Sequence, residues 1–276
     1  MSHALTRKDA PLLFMLLPAG AFFLAFFLLP MLRLFFMGGE GKLGWMAYFA
    51  IFTHPNYRGA LFETLGVSIA TTLATLIISG ICGVFLQRHQ FPGKSLLVSM
   101  MTLPLAFPGV VVGFMVIMLA GRQGLIGDIF LMFGAERLVF AYSLAGLFMG
   151  YVYFSIPRVI LTVMAATEKL DPKLEEAARS LGASPWRVVL DIIIPGLKPA
   201  FISAGAICFA TAVGAFGTAF TLAARIDVLP MVIYTEFTLS ANIAMAAALS
   251  FVLGAVTWLA LAMARTAAGS SVAAAG

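Results

Sequence analysis

Residues 167–194 read TEKLDPKLEEAARSLGASPWRVVLDIII, and they are the one long stretch of this chain that cannot sit in hydrocarbon. Nine of these residues are charged: Glu168, Lys169, Asp171, Lys173, Glu175, Glu176, Arg179, Arg187 and Asp191. The whole 276-residue chain has only 17 basic and 12 acidic residues. The stretch is also punctuated as helix. Asp171 is placed to cap a helix N-terminus, and Pro172 fits the first helical position, where its missing N–H is not needed. Glu175 and Glu176 fall in the opening turns, where the helix dipole favours negative charge. Leu174, Ala177, Ala178 and Leu181 recur at i, i+3, i+4 and i+7, the spacing of one small apolar stripe. Gly182 is placed to end the helix in the left-handed conformation. Ser184-Pro185 repeats the cap-and-proline start, and Pro195 and Pro199 bracket the return to apolar sequence. The pattern predicts a short helix, a glycine break and a second helix. Two readings stand: an interfacial connector, or a knob that docks a partner. In the second, small alanines permit close approach and flanking charges set the register.

On either side of this stretch the chain is apolar. Hydrophobic residues make up 62% and charged residues 11%, against about 25% charged in a soluble domain. A soluble fold of this length has no way to hide so much apolar surface. About 20 apolar residues cross the hydrocarbon core as a helix, and six such runs are predicted at 11–36, 61–86, 95–120, 139–166, 197–224 and 239–264. The first is longer than the apolar region of about 7–15 residues in a secretory signal, and no small-residue cleavage site follows it closely. The runs are apolar on every face, as lipid-embedded helices are, and lack the two-residue alternation of membrane strands. The expected fold is an all-α membrane protein, a single transmembrane domain over residues 1–276.

Lysine and arginine placement orients the spans. With the N-terminus inside, the cytoplasmic set is Arg7, Lys8, Arg88, Lys94, Lys169, Lys173, Arg179, Arg187, Lys198 and Arg265. The outer set is Arg33, Lys42, Arg58, Arg122, Arg137 and Arg225. Ten against six favours both termini inside, which puts 167–195 on the cytoplasmic face. Residues 37–60 form an outer loop in which Trp45, Tyr48 and Phe49 suit an interfacial helix. Residues 121–137 and 225–236 are also outside, and Leu229-Pro230 is expected to break any helix in the latter. Cys82 and Cys208 lie inside apolar runs and read as small buried hydrophobes. His3, His54 and His89 are too scattered for a metal site. There is no GxxxxGK[ST] phosphate loop and no extramembrane piece large enough for a catalytic domain, so the chain reads as no enzyme and as holding no cofactor of its own.

The charged stretch also resembles a known family. Glu176-Ala177-Ala178, three residues, Gly182, nine residues, then Ile192-x-Ile194-Pro195 resembles the EAA loop of binding-protein-dependent ABC importer permeases. Ile194 stands where the family pattern has leucine. Leu103-Pro104 with Phe107-Pro108-Gly109, the Glu168–Asp171 lead-in and Glu236-Phe237-Thr238 look like the same family. The resemblance implies a type I importer permease fold in a bacterial inner membrane. It also implies a second permease subunit, a dimer of cytoplasmic ATPase subunits carrying ATP and magnesium, and a periplasmic substrate-binding protein. Pro172, Leu174, Glu175, Glu176, Ala177, Ala178, Leu181, Gly182, Ile192 and Pro195 would then couple the chain to the ATPases. Among such permeases it looks most like the polyamine, opine, phosphonate and ferric-iron group. The implied cargo is a small organic solute such as a polyamine, an opine or an aminophosphonate, or else ferric iron or another small anion.

The substrate path is less marked. Pro108, Gly109, Gly113, Arg158, Gly214 and Gly217 are candidates, because interrupted membrane helices often line cavities. The rival reading of the glycines is close helix packing, and that of Arg158 is snorkelling to the cytoplasmic interface. A secondary transporter driven by an ion gradient is the alternative class. It would show mid-membrane carboxylates or histidines and an inverted repeat, and the sequence displays neither.

Overall fold

The computed structural model describes residues 10–222 and 227–268 of the chain, with side chains for 16–222 and 227–266. Among the described residues the secondary structure is helical throughout. Six stretches are long and apolar enough to cross a bilayer: Leu16–Gly39, Pro55–Arg88, Gly109–Met132, Leu144–Glu168, Pro185–Val213 and Ile243–Thr266. Arg7, Lys8 and Arg225, counted above for orientation, lie outside the described residues, as does the end of the fifth predicted span.

The helices are, in order, α1 (Ala10–Phe23), α2 (Leu29–Gly39), α3 (Ala47–Thr53), α4 (Pro55–Arg88), α5 (Lys94–Thr102), α6 (Gly109–Ala120) and α7 (Leu125–Met132). They continue with α8 (Leu144–Glu168), α9 (Pro172–Ser180), α10 (Pro185–Val188), α11 (Ile194–Val213), α12 (Gly217–Leu222), α13 (Leu229–Thr238) and α14 (Ile243–Ala268). A π turn at Leu24–Leu28 joins α1 to α2, and another at Val189–Ile193 joins α10 to α11.

Helix breaks account for the differences from the predicted spans. The span expected at 95–120 is two helices. Pro104 and Pro108 each lack a backbone donor; Leu103 before Pro104 stays helical, whereas Phe107 before Pro108 is pushed into extended conformation. A 3₁₀ turn at Leu103–Ala106 and extended backbone at Phe107 and Pro108 therefore separate α5 from α6. The third membrane-length stretch accordingly begins at Gly109, and Gly121 to Gly124 interrupt it before α7. The fifth predicted span is also divided, at Gly214. At Leu229-Pro230 the expectation reverses: α13 begins there instead of being broken. Proline in a first helical turn loses no hydrogen bond, so the pair is a start signal. Helix α4, with 34 residues, is about 51 Å long at 1.5 Å per residue, well beyond a hydrocarbon core of about 30 Å.

The chain, which the sequence reads as one domain, clusters into two compact units, Met1–Pro55 with Ile233–Gly254 and Asn56–Val232 with Ala255–Gly276. In the first, Phe35 packs against Trp45, Tyr48 and Phe251 with ring centroids 5.0–5.4 Å apart. Tyr48 donates its hydroxyl to the Phe35 carbonyl. Gly38 lies under this aromatic group, where a Cβ would come 2.8 Å from Tyr48 Cζ. The interfacial helix expected around Trp45 and Tyr48 is thus present as a 3₁₀ turn plus α3, pinned by these tilted ring contacts and by the stacking of Trp45 on Tyr48.

Two cores stand out among the described residues of the second unit. One joins Val116 and Ala120 of α6 to Leu147 and Tyr151 of α8 and Ala219 and Leu222 of α12. The other joins Val159 and Val163 of α8 to Val188, Leu197, Ala204 and Cys208. It is the footing of the charged stretch.

Candidate docking site

Helix α9 starts and stops where its sequence says it should. Asp171 accepts a hydrogen bond from the Lys173 N–H at 3.0 Å, and Pro172 holds the first position. At the far end the Gly182 N–H donates to the Arg179 carbonyl and the Ala183 N–H to the Ala178 carbonyl, each at 3.0 Å. That pair of bonds is the Schellman closure, which needs a left-handed residue at its turn. Gly182 supplies it with φ of +84°. Ser184 then accepts from the Arg187 N–H at 3.4 Å and opens α10.

The stripe read from the sequence divides between two faces. Ala178 turns inward with Ala183, onto the core of Val159, Val163, Val188 and Leu197. Leu174, Ala177 and Leu181 turn outward, with Leu174 55% and Leu181 90% exposed, and Trp186 of α10 is 70% exposed beside them. The reason is the residue next to Glu176. Glu175 has its side chain only 8% exposed, with Oε1 2.6 Å from Arg88 Nη2 and Oε2 3.4 Å from Arg179 Nη2. Burying that carboxylate against a cation turns α9 so that its leucines face out. Glu176 is exposed and, among the described residues, makes no ion pair. Of the return segment, Ile192 is half-buried, Pro195 lies exposed in the first turn of α11, and Gly196 receives the Leu170 side chain. A Cβ at Gly196 would lie 2.3 Å from Leu170 Cδ1.

The result is a rigid two-helix knob that presents three apolar side chains, a small alanine and an exposed carboxylate. Leu174 and Leu181 stand outside the six membrane-length stretches, and Trp186 stands at the start of the fifth.

The path candidates are placed differently. Pro108 caps α6 in extended conformation. Gly109 and Gly113 of α6 and Gly217 of α12 lie where those two helices cross. Thr218 donates to the Gly109 carbonyl at 2.9 Å, and Thr221 to the Val110 carbonyl at 3.3 Å. A Cβ on Gly217 would meet the Val110 nitrogen at 3.0 Å. Gly214 is exposed at the break after α11. Arg158 is half-buried on α8, its guanidinium carbon 5.9 Å from the Phe154 ring centroid.

Two features were readable but not read. Thr64, Ser68, Thr71, Thr75 and Ser79 recur every three or four residues along α4, and all five are buried. Thr64 accepts from the Leu229 N–H at 2.7 Å and Ser79 donates to the Ile156 carbonyl at 3.3 Å. The hydroxyls of Ser68, Thr71 and Thr75 are buried without a hydrogen-bond partner. Their helical spacing was the available signal. The other feature is Arg88, which the sequence offered only as an orienting charge.

Among the described residues, six membrane-length stretches with a charged helical segment after the fourth define a polytopic membrane protein. Comparison with known proteins places it more closely. Residues 76–268 match the family described as "Binding-protein-dependent transport system inner membrane component", and the chain belongs to that family. It is 36% identical over 190 residues to the molybdenum transport system permease protein ModB of Escherichia coli (strain K12), covering 67% of this chain and 81% of that one. It is 30% identical over 185 residues to the sulfate transport system permease protein CysT of the same organism, covering 67% and 66%. A 2-aminoethylphosphonate transport system permease protein, PhnU of Salmonella typhi, is 27% identical over 248 residues, covering 88% and 86%. Among solved structures, a bacterial alginate ABC transporter chain covers 94% of this chain with 93% of its own length, at TM-score 0.77 and 20% identity. A chain of the MetNI methionine ABC transporter covers 76% with 94% of its own, at TM-score 0.59 and 17% identity. These structural neighbours share the fold. The gradient-driven alternative is set aside, because the family is one of binding-protein-dependent systems.

Proposed function

We propose that this chain is the permease subunit of an ATP-driven importer in a bacterial inner membrane, with both termini in the cytoplasm. Its α9–α10 knob docks on a cytoplasmic ATPase that holds the ATP and magnesium. The observation that carries this reading is the outward face of the knob: Leu174, Ala177, Leu181 and Trp186, exposed at the end of a helix closed by the left-handed Gly182. A groove on the ATPase would take the leucines, Ala177 would allow close approach, and Glu176 would meet a cation or backbone amides. A second permease subunit would complete the path, lined by some of Pro108, Gly109, Gly113, Arg158, Gly214 and Gly217. A periplasmic binding protein would deliver the solute.

For the cargo we favour a small anion. The relatives carry the names of molybdenum, sulfate and 2-aminoethylphosphonate transport. That narrows the sequence-based range towards its phosphonate and small-anion members and away from polyamines and ferric iron.

Purification of the tagged chain from its own cell membranes should bring down an ATP-binding subunit. Ala177→Arg or Leu181→Arg should release that subunit at least tenfold more readily, with the chain's melting unchanged, since both positions are exposed. In vesicles the assembled complex should accumulate molybdate, sulfate or 2-aminoethylphosphonate, and excess putrescine should not compete. A chain that purifies intact and active in transport with no ATPase attached overturns the reading.

A further inference from the structure

Arg88 is the last residue of α4, and its side chain does not run into solvent as an orienting cation would. Only 19% exposed, it reaches across the unit to a loop more than 80 residues further on. One nitrogen, Nη2, lies 2.6 Å from Glu175 Oε1 and donates to the Leu170 carbonyl at 3.1 Å. Glu175 stands in the first turn of α9, and Leu170 just ahead of its cap. Both acceptors meet this one nitrogen, and Glu175 Oε1 and Arg88 Nε are buried with no hydrogen-bond partner, so what joins Arg88 to Glu175 is close opposite charge withdrawn from water. Arg179 approaches the other carboxylate oxygen at 3.4 Å but is 58% exposed, so solvent screens it and Arg88 is the principal partner.

The chain itself ties the knob to α8 and α11, and the core under Ala178 and Val188 joins it to those same two helices, with Leu76 and Val84 of α4 packed against that core. Nothing in the covalent chain ties it to α4. To that apolar packing the Arg88 bridge adds a direct polar link from the end of α4 to α9. Because both charges are withdrawn from water, separating them leaves each unsolvated, and the pair resists opening.

We propose that Arg88 is the positioning residue of the docking helix: its guanidinium, held by Glu175 and the Leu170 carbonyl, makes α9 move as one piece with α4. Motion pressed onto the outer face of α9 is then delivered to the second span as well as to the fourth and fifth. The role in transport rests on the docking reading above; the latch itself does not.

The test uses Arg88→Ala, Arg88→Lys, Glu175→Gln, and the exchange Arg88→Glu with Glu175→Arg, each in the assembled transporter. Arg88→Ala and Glu175→Gln should each retain ATP hydrolysis while solute moved per ATP falls at least tenfold. Combining them should lose no more than either alone, Arg88→Lys should lose less, and the exchange should recover part of the ratio. Wild-type coupling in Arg88→Ala, or losses that multiply in the double variant, would overturn the proposal. A second measurement works on the permease without ATPase. Spin labels at Ile81→Cys and Lys173→Cys, in a Cys82→Ser, Cys208→Ala background, report the α4–α9 distance. That distance should be narrow in the parent and broad after Arg88→Ala. A distribution unchanged by Arg88→Ala defeats the latch whatever the ATPase does. A broadened one, in a wild-type chain that binds no ATPase, supports the latch and defeats the docking reading alone.

Discussion

Gly182→Trp is expected to reduce ATP-driven uptake to background while the subunit remains folded in the membrane. Two properties of Gly182 separate in a substitution series. The first is backbone: φ of +84° costs an L-residue about 1–2 kcal/mol, less for asparagine. The second is space. A Cβ at this position meets nothing within 4 Å, so a side chain leaves the backbone here without a clash in the isolated chain. Bulk can hurt where a partner presses against the turn beside Leu181. Asparagine should therefore transport nearly as wild type. Alanine, which carries the strain without the bulk, should lose only a few-fold. Tryptophan carries both and should fall at least a hundredfold, with ATPase capture lost in parallel. The measurement is initial uptake rate in vesicles, set beside chain melting and ATPase co-purification. Should alanine lose as much as tryptophan, the role of Gly182 is conformational only. Should tryptophan transport normally, nothing docks there.

The same knob shows how far the sequence could be read. Its caps were legible because capping is local: Asp171-Pro172, Gly182 and Ser184-Pro185 dictate backbone geometry from their own side chains, and each sits as expected. The six spans were legible because crossing hydrocarbon demands length and apolarity, which composition reports directly. The facing of α9 was not legible. A stripe of Leu174, Ala177, Ala178 and Leu181 looks like one face until Glu175 finds Arg88, and that pairing joins residues 87 positions apart. The broken spans lie between these cases. Pro104, Pro108 and Gly214 were visible as interruptions, yet hydropathy averages across them and merges α5 with α6 and α11 with α12. At Leu229-Pro230 the residues were right and the inference inverted, since proline breaks a helix only from inside it. The hydroxyl column on α4 was missed for a related reason: in a 34-residue apolar helix, threonine and serine barely lower the hydropathy that identified the span.

Gly113→Leu is expected to lower both stability and transport, and it decides between the two readings that the sequence left open for the glycines of α6. Gly113 is buried against α12, and a Cβ there would lie 2.6 Å from Thr221 Cβ, 3.0 Å from its Oγ1 and 3.1 Å from its Cγ2. No rotation of Thr221 relieves the first of these, because Cβ is fixed to the backbone, so the helices must separate. Separation breaks the Thr221 hydrogen bond to the Val110 carbonyl at 3.3 Å and strains that of Thr218 to Gly109 at 2.9 Å. Overpacking costs about 1–3 kcal/mol in well-packed interiors. In lipid no hydrophobic force restores the close approach, which small residues and packing alone maintain. Gly66→Leu is the control, since Gly66 has open space around it on α4; it should leave melting unchanged. Gly113→Ala should show a smaller loss of the same kind, and adding Thr221→Gly should recover the part due to the Cβ clash but not the part carried by the Thr221 hydroxyl, because it moves the missing Cβ from one helix to the other. If instead Gly113→Leu melts like the parent and only transport disappears, the residue lines the solute path and the crossing tolerates the bulk. If both are lost and the paired exchange restores part of both, close packing of α6 on α12 is what the glycine provides. The 2.6 Å approach favours the second outcome.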